Sequence, residues 1–429
     1  MKIILTKHFL LATAFLCLAA FGAKTAEAAV LVVDDNLGCP DAAYSTIQSA
    51  VNAAAPGDTI EVCAGTYNEN VTVNKAGLTL NGAQAGNPFA GRTFAGPTES
   101  TVDGVNVTAG IAAITITAAD VTIDGFSVTN PVTSGAAFGI TVKTGGNDAL
   151  ITNNIIDTVT SPDAGSVGTA QGVYLENSAA NGGADGVGVI ANKINDIVSN
   201  RSSKGVLIGV NGGGDASQNT LVQGNSITNI TSVTRGAYGV SVANTPNVSG
   251  LVIRDNNIKD LTGGGWAHAV GLEGPTPGVL VEGNCISNVI DLSPTTPEDA
   301  IAVFFENNPS FGTAEVHQNN FENVAYGIAV HPALTAASPA ASVDGENNWW
   351  GSPSGPTTPD NPGGTGAKVS PGVDFTPWLI ARALGGACGG VEATNGSQCK
   401  NGGWKTVFRG DGTPFKNQGD CVSYTNNGK

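Results

Sequence analysis

Four residues that could move protons occupy equivalent positions in successive copies of an internal repeat. They are Arg254, Glu282, His317 and Asp344. A carboxylate and a histidine on one flat surface could abstract a proton from carbon, and an arginine beside them could stabilise the developing enolate. Lyases and epimerases require this chemistry. The alternative interpretation is a surface ladder of mixed charge worth about 0.2–1 kcal/mol per pair. The ladder is favoured, because a sequence displays neither a cleft nor a perturbed pKa.

A second group combines aromatic and hydrogen-bonding side chains on a neighbouring strand of the repeat. The repeat alignment stacks Glu273, Phe304 and His331 in one outward column, and Trp266 follows three glycines in a nearby loop. An aromatic ring beside polar groups suits stacking on a sugar, although a lone aromatic residue usually packs within the protein. Glu176 lies three coils from Glu273, about 14 Å away, which exceeds the roughly 5–9.5 Å of paired glycosidase carboxylates. The four residues Trp266, Glu273, Phe304 and His331 are therefore predicted to bind a substrate.

Several other chemistries lack a motif in this sequence. It contains no calcium-loop consensus and no clustered cysteine–histidine zinc spacing. The chain has 59 glycines, so short glycine-containing matches are expected by chance. No serine nucleophile motif or phosphate-binding loop is more specific than such chance matches. No metal site is therefore predicted. The cofactor stays open, with Ca²⁺ required only if the substrate is anionic.

The repeat that must position these residues reads V-x-x-N-x-I-x-N/D-V and recurs about every thirty residues between 149 and 349. Such a period indicates stacked supersecondary units, and its β-branched alternation indicates strands. Its asparagines are Asn154, Asn192, Asn225, Asn256, Asn284, Asn319 and Asn347. Because parallel strands lie about 4.8 Å apart, equivalent asparagines can hydrogen-bond amide to amide along the stack. Their predicted role is structural.

Each coil also carries a second strand of the form G-V-x-V-x, from residue 135 onward. Strand alternation directs two residues of each copy inward. The inward pairs are Ile140/Val142, Val173/Leu175, Val206/Ile208, Val240/Val242, Val270/Leu272, Ile301/Val303 and Ile328/Val330. The outward column beside them is Lys143, Glu176, Gly209, Ala243, Glu273, Phe304 and His331. On the asparagine-bearing strand the outward column is Asp124, Thr152, Ile190, Gln223, Arg254, Glu282, His317 and Asp344.

Distinct segments precede and follow the repeat. Residues 29–75 are predicted to form an N-terminal cap, in which Ser45 is the N-cap of a helix that covers the strand edge of the first coil. The apolar face of this helix is Ile47, Ala50, Val51 and Ala54. Residues 352–384 are rich in Pro, Gly, Ser and Thr and are predicted to wrap the C-terminal end. The β-helix domain is thus 29–384, followed by a small cysteine-containing tail at 385–429.

The first residues are typical of an export signal. Lys2 and Lys7 precede an apolar run at 9–21, and 26–28 fits a small-residue cleavage site. The apolar run is too short to span a membrane, and no later segment is apolar enough. Residues 1–28 are therefore predicted to be a signal peptide, the mature protein to be secreted or held at the cell surface, and no integral membrane segment to remain.

The cysteines fit an oxidising compartment. Cys39 and Cys63 flank the cap and are predicted to pair, and Cys399 to Cys421 is the preferred bridge in the tail. Cys388 stays unassigned, because sequence does not determine connectivity. Cys285 lies inside the repeat and is predicted to be a small buried residue.

The chain is acidic, and this limits its partners. Removing residues 1–28 takes away three lysines and one glutamate, which moves the formal net charge from −16 to about −18. Such a charge repels nucleic acid and anionic membranes. Polyuronates would also be repelled unless a bound cation or a local basic patch intervened.

Four segments of the cap resemble the N-terminal part of pectin-lyase-fold proteins. They are Y-S-T-I-Q at 44–48, G-D-T-I at 57–60, G-T-Y-N-E-N-V at 65–71 and L-T-L-N-G at 78–82. The resemblance implies a right-handed parallel β-helix and a superfamily of pectate lyases, pectin methylesterases, polygalacturonases and uronan epimerases. The G-x-Y-x-E at 65–69 is similar to the first methylesterase motif, but the later segments with two aspartates, a glutamine and an arginine have no match. The N-N-W-W-G at 347–351 is similar to the close of many bacterial β-helix proteins.

Two functions follow from these observations. The first is a secreted all-β protein that engages polysaccharide on a flat β-face, as a lyase, an epimerase or a glycoside hydrolase if it is an enzyme at all. This hypothesis depends on analogy of fold. The second is a non-catalytic surface or matrix solenoid that serves as a rigid spacer or adhesive plate. Polysaccharide engagement ranks first, and catalysis is left open.

Overall fold

The apolar alternation of the repeat produces three short strands per coil, one in each of three parallel sheets. Successive coils stack in register, so the chain is a right-handed parallel β-helix and the predicted fold class is confirmed. The computed structural model describes residues 28–36, 38–104, 110–165, 167–177, 183–209, 217–244, 247–293, 299–383, 391–405, 407–409 and 415–426. The predicted signal peptide lies almost wholly outside these residues.

The sheets are named here in the order in which each coil visits them. Sheet 1 contains Val30–Val33, Thr59–Val62, Thr79–Asn81, Thr122–Asp124, Leu150–Thr152, Gly188–Ile190, Leu221–Gln223, Val252–Arg254, Leu280–Glu282, Glu315–His317, Val343–Asp344 and Val373–Asp374. Sheet 2 contains Gly65–Asn68, Ser100–Asp103, Phe126–Thr129, Ile155–Ser161, Lys193–Ser199, Ser226–Ser232, Asn257–Gly263, Cys285–Asp291 and Asn320–Glu322. Sheet 3 contains Val71–Val73, Ala112–Ile116, Ala137–Val142, Thr169–Leu175, Ser202–Ile208, Gly236–Val242, Trp266–Leu272, Ala300–Phe305, Tyr326–Val330, Gly366–Val369 and Pro356–Thr357.

Helices are short and lie outside the stack of coils. The α-helices are Ile47–Ala53, Pro332–Ala337 and Gln418–Asn426, and the 3₁₀ turns are Phe311–Thr313 and Gly403–Lys405. Within the described ranges, none of the helices has the length and apolar character needed to cross a membrane.

In seven successive coils, the corner between sheets 1 and 2 is built by a buried asparagine. In a typical step, the backbone N–H of Asn256 donates to Asn284 Oδ1 at 3.0 Å, and Asn256 Nδ2 donates to the same oxygen at 3.0 Å. Asn256 Nδ2 also donates to the Val222 carbonyl of an earlier coil at 2.9 Å. The ladder members are Asn154, Asn192, Asn225, Asn256, Asn284, Asn319 and Asn348. Each amide satisfies main-chain groups that the sharp corner leaves without strand partners, so the structural role is confirmed.

The last member of the ladder is Asn348, and the prediction of Asn347 was wrong. The backbone N–H of Asn319 donates to Asn348 Oδ1 at 2.9 Å, whereas Asn347 takes a left-handed conformation with φ of 55°. Every ladder asparagine follows such a residue, for example Gly283 with φ of 65°. The corner thus needs a residue that tolerates positive φ immediately before the amide, and asparagine fits both places.

The inward residues of sheet 3 form continuous apolar stacks, as predicted for most coils. On the strand Ala300–Phe305, however, Val303 aligns with Val270 and Phe305 aligns with Leu272. The predicted inward pair Ile301/Val303 was therefore displaced by two residues. A shift of two leaves strand alternation unchanged, so the unbroken apolar run at 301–305 permits both registers. The fully buried Phe305 ring occupies the core in the observed one.

The same displacement changes the outward column. The backbone N–H groups of Glu273, Glu306 and His331 each donate to a carbonyl at the end of the sheet 3 strand of the preceding coil. The three residues therefore occupy equivalent positions, and Glu306 takes the place predicted for Phe304. Phe304 instead aligns with Gly271 and Ala329, one column nearer the start of each strand. The outward face of sheet 3 therefore carries a further carboxylate in its last coils.

The N-terminal cap closes the first coil with the helix Ile47–Ala53. Its N-cap is Thr46, whose hydroxyl accepts from the Ser49 N–H at 3.2 Å, so the prediction of Ser45 was wrong by one residue. The Glu69 carboxylate accepts two further N–H groups of the first turn at 2.7 and 2.9 Å. These bonds satisfy amides that a helix start leaves without partners, and Glu69 thereby attaches the helix to the coil it covers.

Two disulfides hold the segments at the ends. Cys39–Cys63 and Cys399–Cys421 are both formed, as predicted. Cys285 is buried, again as predicted, and Cys388 lies outside the described residues. The tail has a small core of its own around its disulfide, with Phe415 and Ala393 buried there. The domain limits at 28/29 and 384/385 stay predictions.

Replacing one ladder amide should destabilise the whole stack. In Asn256→Ala the partners of the lost side chain, including the Asn225 N–H and the Val222 carbonyl, become unsatisfied within the protein. We expect the free energy of unfolding to fall by about 3 kcal/mol, measured by urea denaturation. Asn257→Ala is the matched control, because this adjacent side chain is partly exposed, and we expect a loss below about 0.5 kcal/mol. Equal losses in the two variants would contradict the amide ladder as the stabilising interaction.

Candidate functional site

The predicted proton-transfer residues lie on the outward face of sheet 1. Arg254, Glu282 and His317 align on three successive strands. Asp344 aligns with Glu315 instead of His317, because the last strands of sheet 1 are offset by two residues. His317 Nε2 nevertheless lies 2.8 Å from Asp344 Oδ1, without the alignment of a hydrogen bond. The structure thus brings His317 and Asp344 together despite the different register.

The remaining members of this column make no ion pair with each other among the described residues. Arg254 Nη2 donates to Gln223 Oε1 at 3.1 Å, and Glu282 forms no salt bridge within the ranges given above. The cavity described in the next paragraph does not include this column. The arrangement has the character of a surface ladder, and its role as a lyase or epimerase site stays a prediction.

A cavity of about 1310 Å³ lies on the outward face of sheet 3. Its floor is formed by the strands Trp266–Leu272, Ala300–Phe305 and Tyr326–Val330. Its walls are the helix Pro332–Ala337 and parts of the C-terminal wrap at 357–360 and 368–375. The aromatic lining residues are Trp266, Phe304, Tyr326 and Phe375. The ionisable ones are His268, Asp299, Glu306, His331, Asp360 and Lys368. Rigid strands therefore hold aromatic rings beside carboxylates and bases.

One outward column of sheet 3 runs through the floor. Successive strands place Gln171, Lys204, Tyr238, His268, Ile301, Tyr326 and Lys368 in register. Several polar members of this sheet face are buried, among them Gln171 and His268. Gln171 Oε1 and Ser241 Oγ lack hydrogen-bond partners in the part of the chain that the structure describes. An outward face of this kind is unlike the solvated face of an ordinary solenoid.

A chain of contacts fixes the aromatic rings at one end of the floor. Trp266 Nε1 donates to the Tyr238 hydroxyl at 2.6 Å, and that hydroxyl donates to Glu273 Oε1 at 2.7 Å. The Tyr238 and His268 rings meet edge to face at 5.3 Å, and the His268 and Phe304 centroids are 4.8 Å apart. Glu273 thus anchors the ring that positions Trp266.

Two glycines make this packing feasible. A Cβ atom on Gly236 would lie 2.0 Å from Trp266 Nε1, and one on Gly271 would lie 2.7 Å from the Tyr238 ring. Both distances are well inside van der Waals contact. Glycine at these two outward positions therefore allows the large rings to lie flat against the strand backbone.

Burial shifts the titration of the groups around the cavity. Burial, assisted by the charge of Asp291, raises the pKa of Asp299, although His331 opposes the shift. Burial, together with the charges of Glu273 and Asp299, raises the pKa of Glu306. Both carboxyl groups consequently keep a proton at higher pH than an exposed carboxyl would.

The bases near the floor are shifted in the opposite direction. Burial lowers the pKa of His268 to about 3, so its imidazole is neutral at ordinary pH. Burial also lowers the pKa of Lys204, although the charge of Glu273 opposes this. His268 therefore adds no positive charge to the floor at ordinary pH.

The structure brings three of the four predicted binding residues into one cavity. Trp266, Phe304 and His331 line it, whereas Glu273 lies behind Tyr238. Trp266 begins a strand and does not lie in a loop, which corrects the prediction. The residues that the sequence did not indicate are His268, Asp299, Glu306, Tyr326 and Lys368. If the alignment of the G-V-x-V-x strands had been extended toward their N-terminal ends, it could have placed His268 and Tyr326 in one outward column. Lys368 belongs to the wrap, so its place required the tertiary structure.

The described residues contain no group of three or more His, Cys, Asp or Glu placed to hold a metal ion. Comparison with family models gives no match, and neither does comparison with curated proteins. Solved structures give distant similarities. Pectate lyase Pel9A shares 13% identity at a TM-score of 0.37, over 94% of this chain and 90% of that chain. A pectin methylesterase in complex with a hexasaccharide shares 12% identity at a TM-score of 0.34, over 60% of this chain and 79% of that chain. A mutant pectin methylesterase with a hexasaccharide shares 10% identity at a TM-score of 0.21, over 80% of each chain. At this distance no residue role transfers to the chain.

The buried imidazole should make the protein sensitive to acid. The pKa of His268 is about 3 in the folded state, against 6.5 for an ordinary histidine, so between these values only the unfolded chain binds the proton. Stability should therefore fall as pH decreases from 6.5 toward 3, by at most about 1.4 kcal/mol per pH unit. His268→Phe should remove this component. Urea unfolding of both proteins between pH 4 and 8 measures it, because Asp299 and Glu306 titrate in both and largely cancel in the difference. A difference that is independent of pH would contradict the burial of a neutral imidazole.

Proposed function

We propose that this chain is an exported protein that binds a polysaccharide in the cavity on the outward face of sheet 3. The observation that carries the proposal is the combination of aromatic rings and hydrogen-bonding groups on rigid strands around about 1310 Å³. Export is supported by the predicted signal at 1–28 and by the disulfides Cys39–Cys63 and Cys399–Cys421.

The lining suits a sugar chain in both its apolar and its polar parts. The rings of Trp266, Phe304 and Tyr326 offer flat faces for the C–H faces of sugars. The polar groups among them, including Asp299 and Glu306, can accept hydrogen bonds from hydroxyls. The volume exceeds the roughly 300–1,000 Å³ of sites for small ligands, which favours several sugar units over one.

The charge of the lining favours an uncharged polysaccharide. Asp299, Glu306 and Asp360 line the cavity with Lys368 and His331, and Glu273 lies close behind the floor. A polyuronate would bring further carboxylates against this set, in a chain whose formal net charge is −16. Ca²⁺ would be required only for such an anionic ligand. Nucleic acid is disfavoured by the same charge, which stays a prediction.

A second candidate function is hydrolysis by the two carboxyl groups of the cavity. Asp299 and Glu306 both have a raised pKa and line the same space, a pattern that accompanies general acid–base catalysis. The non-catalytic adhesive solenoid is the alternative. The lyase or epimerase reaction would instead require Arg254, Glu282, His317 and Asp344 on sheet 1.

A binding assay separates the two faces of the protein. Neutral and acidic polysaccharides should be tested with and without Ca²⁺ by calorimetry, and we expect the neutral ones to bind. Phe304→Ala and Tyr326→Ala should each weaken binding about tenfold, because an aromatic face is lost. Glu282→Ala and His317→Ala on sheet 1 are the controls and should leave affinity unchanged. The reverse pattern would move the binding face to sheet 1, and no binding by any polysaccharide would refute the proposal.

Product analysis decides whether binding leads to reaction. If the chain hydrolyses its ligand, new reducing ends should form, and Asp299→Asn or Glu306→Gln should lower turnover at least about 100-fold while binding is kept. Unsaturated ends that disappear in His317→Ala would support the lyase on sheet 1 instead. Binding without turnover in the unaltered protein would support the adhesive solenoid.

A further inference from the structure

The floor of the cavity contains a histidine whose ring nitrogens make no hydrogen bond to any residue that the structure describes. His268 is 3% exposed, and neither Nδ1 nor Nε2 has a partner among the residues that the structure describes. The ring lines the cavity on the strand Trp266–Leu272. Burial of polar atoms without partners destabilises a folded protein, so such atoms call for an explanation.

Packing alone does not explain the choice of histidine. The next coil has Ile301 at the aligned position, so this column accepts an apolar side chain beside the same cavity. An apolar residue there would avoid the unsatisfied nitrogens altogether. The imidazole is also held in place, because Tyr238 contacts it edge to face and Phe304 lies 4.8 Å away on the following strand. A fixed polar ring facing a cavity is typical of a ligand contact.

We propose that His268 is a hydroxyl-recognising subsite at the floor of the cavity, which selects uncharged sugar units over uronates. This inference rests on the proposed polysaccharide binding and names its chemical basis. A neutral imidazole presents one donor and one acceptor. A sugar hydroxyl can accept from the ring N–H and can donate to the other ring nitrogen. The carboxylate that a uronate carries in place of a primary hydroxyl only accepts, so at this position it leaves the second ring nitrogen unsatisfied against a negative charge.

The surroundings keep the imidazole in this neutral form. Tyr238 faces it from the preceding strand and is uncharged, since burial raises its pKa well above the ordinary value. Phe304 and Ile301 on the following strand carry no charge. Glu306 and Asp299 line the same cavity, and burial raises the pKa of each. Lys204 lies in the same column beyond Tyr238, which separates it from His268.

Two substitutions separate recognition from packing. His268→Phe keeps a planar ring between Tyr238 and Phe304 but has no hydrogen-bonding atom, whereas His268→Gln keeps one donor and one acceptor. The probes are neutral hexasaccharides of glucose, xylose, mannose and galactose, and a hexasaccharide of galacturonate. We expect His268→Phe to bind the best neutral probe at least about tenfold more weakly and to lose the preference for neutral over acidic probes. His268→Gln should retain more of both.

A measurement on the unaltered protein guards against variants that fail to fold. The ¹⁵N resonances of the His268 imidazole should shift when the neutral probe is added and should stay unchanged with the galacturonate probe. If a neutral probe binds but the resonances and the His268→Phe affinity do not change, the subsite is wrong while the proposed function stands. If no probe binds the unaltered protein, the proposed function fails and the subsite with it.

Discussion

The structure depends on a row of buried amides that ties each coil to the next. A chain that turns sharply from one sheet to another leaves backbone donors and acceptors without strand partners, and burial makes that costly. In this protein the asparagine of one coil supplies the missing acceptor to the backbone of the coil before it and donates to a carbonyl further back. The residue preceding each amide accepts a left-handed conformation so that the side chain points inward. This combination sets the position of every coil relative to its neighbours.

Because the coils stack in register, equivalent residues of successive coils form columns of side chains on each sheet. On sheet 1 the columns reach solvent and remain flat, so His317 and Asp344 pair there as surface residues. On sheet 3 the outward columns are largely buried and contain aromatic rings, a neutral imidazole and partly desolvated carboxyls. The difference arises in the last coils, where the helix Pro332–Ala337 and the C-terminal wrap rise beside sheet 3 and enclose a cavity.

The chemistry of the cavity follows from that enclosure. Burial raises the pKa of Asp299 and Glu306 and keeps His268 neutral. The site therefore offers a neutral imidazole and other hydrogen-bonding groups beside aromatic faces, a combination that suits sugar hydroxyls. Because Trp266 is held through Tyr238 to Glu273 on the strand framework, these groups are positioned without a ligand. Aromatic faces and preorganised polar groups thus lie in the same space.

The sequence by itself determined the β-helix and most of the asparagine ladder, because each depends on a local pattern that repeats. Both disulfides were preferred pairings that the structure confirmed, since sequence does not determine connectivity. The sequence could not distinguish two registers of the strand Ala300–Phe305, because a shift of two residues leaves the predicted alternation of inward and outward side chains unchanged. That ambiguity exchanged Phe304 for Glu306 in the outward column. The sequence did not indicate the cavity for another reason: Lys368 and Phe375 lie far along the chain in the C-terminal wrap, yet they line the same cavity as Trp266 and His268. Only the tertiary structure could decide this, because burial, and with it pKa and access, depends on residues distant in the chain.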